Sequence, residues 1–212
     1  MKLSLTLLSL CFVTSVAMAQ EPGPPDSQAQ NEVHNAGLFI EPALTYERSD
    51  SKVNYPSPFA NSTGKVDGFG IGARLGFHLN EVFFIGVDGR YSMPKFKDST
   101  YDASATSANL GAVAGVQMPN IGLRLWGAII LGGILDPDSS GGFDLKFKDT
   151  SGYRVGAGFR LAIVSLNLEY QHLKYGQTVL EQIGPFSTST SFSNVTLENN
   201  SWVASVSFPL AL

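Results

Sequence analysis

A chain of 212 residues with 14 basic and 18 acidic side chains carries a net charge of −4, which leaves no basic footprint for nucleic acid. Its one cysteine, Cys11, lies in an N-terminal apolar run, so the remainder has no means for a disulfide framework or a cysteine metal site. No second apolar run of about 18 residues follows, and no membrane helix is expected beyond the first.

The chain starts with Lys2, runs apolar from Leu3 to Ala17 and closes that run with Ala17-Met18-Ala19. A basic start, a short apolar core and an A-x-A site predict a secretory signal peptide over residues 1–19. An anchoring helix needs about 20 apolar residues, more than this run supplies. Lipidation of Cys11 is disfavoured by the bulky Leu10 before it. Residues 20–36, QEPGPPDSQAQNEVHNA, are too rich in proline, glutamine and small polar residues to bury a core. They read as a flexible periplasmic N-terminus.

From residue 37 to 212 the pattern changes to alternation. Leu38, Ile40, Leu44 and Tyr46 share one parity while Glu41, Thr45 and Glu47 share the other, the period-two signature of a strand. The same alternation recurs in eight segments, near 38–48, 66–79, 82–93, 106–118, 121–135, 152–162, 165–175 and 195–210. Most reach the roughly 9–11 residues that a tilted strand needs to cross a bilayer. Tight turns are expected at Asn80-Glu81, Pro119-Asn120 and Ile163-Val164, and long polar loops at 49–65, 94–105, 136–151 and 176–194. Long and short connections alternating across eight strands are the plan of an outer-membrane barrel, with short turns and both chain ends periplasmic. The fold class is therefore all-β, an eight-stranded antiparallel up-and-down transmembrane β-barrel.

The two strand faces differ in chemistry. One carries Phe69, Ile71, Ala73, Leu75 and Phe77 in the second segment, and Trp202, Val206, Phe208 and Leu210 in the last. The other carries Gly68, Gly70, Gly72, Arg74 and Gly76, then Arg154, Gly156, Gly158 and Arg160. The stretch GFGIGARLG (68–76) thus resembles a phosphate-binding turn only in its glycine count. Its intervening residues continue as one apolar strand face and no helix follows, as such a loop would require. A soluble barrel of the lipocalin type also alternates, but it would place these glycines on a solvated face, where they weaken the strand.

The small-and-charged face is assigned to the lumen, and the apolar face to lipid. Tyr46, Tyr91, Tyr153, Tyr170, Trp202 and Phe208 are then expected at the membrane interfaces. An eight-stranded lumen is just wide enough for side chains to fill it. Its charges, Glu41, Arg74, Asp88, Arg90, Arg124, Arg154, Arg160 and Glu169, must pair. Counting back from the turns puts Arg74 opposite about residue 87, beside Asp88, and Arg160 a diagonal step from Glu169. Glu41 falls at the height of Arg74. Arginine outnumbers acid on this face, so some arginines need neutral partners. Two readings are open: a salt-bridged plug that replaces a core, or a gated pore.

The leader, the eight alternating segments, the glycine-rich inner face and the C-terminal run Trp202, Val206, Phe208, Leu210, Leu212 resemble the OmpA/OmpX-type small outer-membrane β-barrels of Gram-negative bacteria. The resemblance covers residues 37–212. It implies a monomer inserted by the barrel-assembly machinery, surrounded by outer-membrane lipid and lipopolysaccharide, without a cofactor or metal. Such barrels often end in an aromatic residue, whereas Leu212 is last here and Phe208 stands in its place.

The resemblance rests on pattern and carries no catalytic motif. The leading expectation is a structural or surface-interaction protein working through long loops. Tyr55, Phe59, Tyr101, Phe186 and Phe192, with Phe143 and Phe147, are candidate contacts to a cell-surface ligand. A narrow channel for ions or small solutes is the alternative, and a lipid A-modifying enzyme the third reading. Acyl chemistry needs a serine beside a histidine base. His172 shares its face with Tyr170 and Lys174, a set suited to anchoring at headgroups, and His78 sits at a turn. Asp136-Pro-Asp138 through Gly142 lacks the downstream glutamate of a calcium loop and reads as a turn.

Overall fold

The computed structural model describes residues 37–97 and 102–212. The expected signal peptide, the segment 20–36 and Tyr101 lie outside the described residues. The alternating segments form one closed antiparallel sheet. Its first seven staves are β1 (Gly37–Asn54), β2 (Ser62–His78), β3 (Phe83–Lys97), β4 (Asp102–Met118), β5 (Leu123–Pro137), β6 (Phe143–Leu161) and β7 (Val164–Ile183). The eighth is built from β8 (Phe186–Phe192), β9 (Thr196–Ser207) and β10 (Leu210–Ala211). β9 pairs with both β7 and β1 and so closes the ring, satisfying the backbone groups an open edge would expose to lipid.

The staves are longer than the alternation alone predicts. β1 to β7 run from 15 to 20 residues, against the roughly 9–11 that span a bilayer. Most of the expected long loops are therefore strand. Lys52 pairs with Thr63 and Val53 with Ser62 inside the first of them, and Lys146 pairs with Val179 between the third and the fourth. Lys52, Thr63 and Lys65 on these extensions face water outwardly while the backbone stays paired, so their composition mimics a loop. Among the described residues only short tips remain, at 55–61, 138–142 and 184–185, with a break at 193–195.

At the opposite end the connections are short. The Asn80 side chain accepts hydrogen bonds from the backbone N–H groups of Val82 and Phe83, at 2.9 and 2.7 Å, which holds the β2–β3 turn. The β6–β7 turn falls on Ala162-Ile163, with Leu161 opposite Val164, one residue earlier than the sequence suggests. That shift moves Arg160 from opposite residue 167 to opposite Ser165.

The outward parity is apolar and exposed: Phe69 at 74%, Ile129 at 67% and Leu131 at 64%. An apolar band of this extent marks a surface made for a non-aqueous partner and excludes the lipocalin arrangement. Inward glycines fit close approach. A Cβ on Gly76 would lie 2.5 Å from the Ile85 carbonyl oxygen and 2.6 Å from the Phe39 ring. A register shift at Leu110/Gly111 switches the parity of β5, so that Arg124, Trp126, Ala128 and Ile130 point inward before it and Leu135 after it. The lumen consequently has three layers. Phe39, Phe84, Val113, Trp126 and Ala128 fill the end near the termini. A polar layer occupies the middle. Val53, Val66, Phe96, Leu135, Phe147 and Tyr175 belong to a second apolar cluster toward the hairpin end.

Candidate functional site

The middle layer is an interlocked set of ion pairs built by strand register. Glu41, Arg74 and Asp88 stand directly opposite one another on β1, β2 and β3, and all three are buried. The Arg124 guanidinium grips Glu41 with both terminal nitrogens at 2.8 Å, the bidentate geometry that planar arginine favours. Ser207 donates its hydroxyl to the same carboxylate at 2.6 Å. Arg74 spans Glu41 at 3.5 Å and Asp88 at 3.4 Å, with its guanidinium carbon 4.9 Å from the Trp126 ring centre. Arg90 links Asp88 at 3.2 Å to Glu169 at 2.6 Å. Arg154 donates to Asp88, to Asn109 and, at 2.6 Å, to Gln171.

Four arginines meet three ion-paired carboxylates here, and the neutral acceptors Asn109 and Gln171 take two further donors of Arg154. Beyond them Glu47 accepts from Gln171 at 3.1 Å and from Asn199 at 3.2 Å. Burying charge is costly unless each group is paired and hydrogen-bonded; all four arginines are paired, while Arg74 Nε, Arg90 Nη1 and Arg124 Nε have no hydrogen-bond partner among the described residues. A residual void of about 20 Å³ lies among Glu41, Arg74, Asp88, Arg90 and Glu169, room for about one water molecule.

Seven of the eight charged residues picked out in the sequence meet in this layer. Arg160 does not: it is only partly buried and its Nε donates to the Ala162 carbonyl at 3.0 Å. The turn one residue earlier than expected removes it from the reach of Glu169. Sequence reasoning left out Glu47, although it shares parity with Glu41, and missed Trp126, whose indole N–H donates to Glu169 at 3.3 Å. Trp126 follows Arg124 by two residues, so the inward parity of β5 was the available signal.

On the outer surface Tyr46, Tyr91, Tyr153, Trp202 and Phe208 are exposed and Tyr170 partly so. Trp202 and Tyr170 stack edge to face at 5.5 Å, Tyr153 lies 5.6 Å from the His172 ring, and Tyr46 lies 4.8 Å from Phe69. His172 Nδ1 bonds the Asn200 side chain at 2.6 Å, and His78 packs against Phe39 and Phe84. Neither ring has a serine hydroxyl at hydrogen-bond distance among the described residues.

At the hairpin end Phe59 and Phe186 are exposed at 70% and 75%. Tyr55, Phe143 and Phe192 line a hollow of about 510 Å³ above the apolar cluster. Phe147 is buried in that cluster and is no surface contact, because the expected loop around it is strand. Nearby, carboxylate oxygens of Asp136, Asp144 and Glu181 lie within 4.8 Å of one another, with the Lys146 ammonium 2.6 Å from Asp136 and 3.8 Å from Glu181. Partial burial, with the carboxylates of Glu181 and Asp136 alongside, raises the pKa of Asp144, and the hydrogen bond to Asp136 raises that of Lys146.

Comparison with known proteins agrees with this architecture. No curated protein sequence matches the chain. Among solved structures, the outer membrane protein OprG from Pseudomonas aeruginosa aligns at TM-score 0.51 and 13% identity, covering 84% of this chain and 98% of that one. Neisserial surface protein A aligns at 0.43 and 15%, covering 82% and 99%. Ail of Yersinia pestis, in complex with the heparin analogue sucrose octasulfate, aligns at 0.47 and 14%, covering 81% and 99%. At such identities the likeness is one of fold. The outer membrane protein beta-barrel domain matches residues 5–208, and with the closed ring, its lipid-facing apolar band and its filled lumen described, the chain belongs to that family of bacterial outer-membrane barrels.

Proposed function

We propose that this barrel acts at its hairpin end as a structural and surface-interaction protein. That end faces the cell exterior, and both chain ends lie in the periplasm. One observation carries the reading: side chains pack the lumen in three successive layers, up to the hollow at the hairpin end. The ion-paired layer is bounded by the Phe39–Phe84–Trp126 cluster on one side and by the Phe96–Leu135–Phe147–Tyr175 cluster on the other. Such a lumen leaves the paired extensions of the staves, with Phe59, Phe186 and the hollow lined by Tyr55, Phe143 and Phe192, as the surface available for contact.

The barrel works as a monomer in outer-membrane lipid and lipopolysaccharide after insertion by the barrel-assembly machinery. A channel would need the polar layer to open, and both apolar clusters oppose that. A lipid A-modifying enzyme would need a nucleophile beside His172, where Asn200 stands instead.

The test is an exchange of the hairpin tips at 55–61 and 184–185 for short turns, leaving the membrane-spanning parts unchanged. Loss of attachment to host or neighbouring cells, with the barrel still folded by its gel mobility, is the expected result. Unchanged attachment across all tips would refute the surface role. Mass spectrometry of lipid A from cells with and without the protein tests the enzyme reading, and identical spectra are expected.

A further inference from the structure

Two features of the outer face of β2–β5 are unexplained by the barrel's own packing. The first is a set of cations. Lys65 on β2 stands directly opposite Lys97 on β3, and Lys95 follows on the same face. All three are exposed. Like charges directly opposite across two strands destabilise the pair. Lys97 has a partner in Asp102 at 3.1 Å. Among the described residues, Lys65 and Lys95 have no carboxylate within ion-pair distance. Asp67, which faces Lys95 in register, is engaged by the Ser49 backbone N–H at 3.0 Å, and Asp50 faces Lys65 without reaching it. In a chain of net negative charge, these ammonium groups gather on one flank, whereas Asp136, Asp144 and Glu181 gather on another.

The second feature lies below the lysines, on the same strands. A shallow apolar hollow of about 780 Å³ is lined by Ala73, Gly89, Tyr91, Leu110, Leu131 and Gly132. Another of about 690 Å³ continues it toward Ile85, Ala114, Gly127 and Ile129. Its glycines differ from those of the lumen. A Cβ on Gly132 would meet nothing within 4 Å, and one on Gly89 would have only ordinary contacts, from 3.7 Å outward. A Cβ on Gly76 or Gly86 would collide with backbone at 2.5 or 2.4 Å. Glycine weakens a strand interior; at Gly89 nothing inside the barrel requires it, and Gly132, beside the bulge at Leu131, has open space on its outer side. The hollow begins at Tyr91, about 13 Å along β3 from Lys95, a depth that falls within the roughly 15 Å of hydrocarbon in one leaflet.

We propose that this face is a binding site for one phosphorylated, multiply acylated lipid. The ammonium groups of Lys65, Lys95 and Lys97 hold its phosphate, and the hollow at Gly89 and Gly132 seats an acyl chain. One occupant accounts for both features: the anion relieves the facing lysines, and the chain fills a depression that ordinary side chains would otherwise fill. With the hairpin end outside, as proposed above, the lipid belongs to the outer leaflet. A binding assay in detergent reads the site whichever way the barrel sits, so failure of the orientation and failure of the site are distinguishable.

The experiment is native mass spectrometry of the whole refolded chain titrated with bis-phosphorylated lipid A, with the same lipid after phosphatase treatment, and with phosphatidylethanolamine. Folding of every variant is checked by gel mobility. The parent should bind the phosphorylated lipid in preference to both others. A Lys65→Gln, Lys95→Gln, Lys97→Gln variant should lose on the order of a hundredfold in affinity, each lysine near an anionic surface contributing roughly fivefold. Gly89→Leu with Gly132→Leu should weaken binding of both forms of lipid A while its unfolding midpoint stays level or rises. Parental binding by the lysine variant, or equal binding of treated and untreated lipid, would overturn the phosphate half. Parental binding by the glycine variant would overturn the hollow. A lysine-dependent preference for a soluble sulfated glycan over the lipid would assign the lysines to a surface partner and overturn the proposal.

Discussion

Arg124 shows what a single buried residue does in this lumen. Its guanidinium makes two 2.8 Å bonds to Glu41, and replacing it with alanine leaves that carboxylate with Ser207 and a distant Arg74. Removing one partner from a buried pair costs about 3–5 kcal/mol, and a loss of that size is expected in the unfolding free energy of Arg124→Ala, measured by urea titration in lipid vesicles. Arg160→Ala should change that free energy by less than about 0.5 kcal/mol, as a surface substitution does. A second prediction concerns Asp144, outside the membrane-spanning part. Its folded pKa is raised by burial and by Glu181 and Asp136, so its charge opposes folding at neutral pH, and protonation removes the penalty. Asp144→Asn should slow hydrogen exchange at the β6 hairpin end relative to the parent at pH 7. The difference should vanish below about pH 4, where an ordinary aspartate is itself protonated. Slower exchange in the variant at both pH values would contradict the assignment.

At the scale of the strand, inward glycines are set by the room their neighbours leave. Gly76→Ala would drive a methyl into the Ile85 carbonyl and the Phe39 ring, and overpacking of this kind costs about 1–3 kcal/mol. The refolded fraction, read from gel mobility, should fall for Gly76→Ala and hold for Gly132→Ala. The sheet itself was legible in the sequence because period two persists through every stave and one parity is small or charged. Counting from Asn80-Glu81 brought Arg74 to residue 87, one short of its partner, because the turn spans 79–82 and sets Arg74 opposite Asp88. Arg160 could not be placed, since the turn at Ala162-Ile163 leaves no glycine or proline to mark it. Strand length was hidden for another reason. Beyond the lipid band the outward face of a stave meets water and is polar, so Lys52 opposite Thr63 reads as loop although the backbone is paired. The inward turn of Leu135 and Phe147 was hidden likewise: an extra residue, Leu131, reverses parity along β5, and along β6 parity reverses between Phe147 and Thr150, around Asp149 with its φ of +57°.

For the whole molecule, the layers of the lumen decide which functions remain open. A stack of apolar, ion-paired and apolar layers gives rigidity to a barrel too narrow for a separate core, and it supports the proposed surface role over a channel. On the proposed reading, function lies at the surfaces, at the hairpin end and at the lipid-facing flank of β2–β5. The most direct measurement is single-channel recording of the refolded protein in planar bilayers over a range of voltages and salt concentrations. A sealed lumen predicts an unbroken baseline after verified insertion, whereas steady, reproducible conductance steps would contradict it.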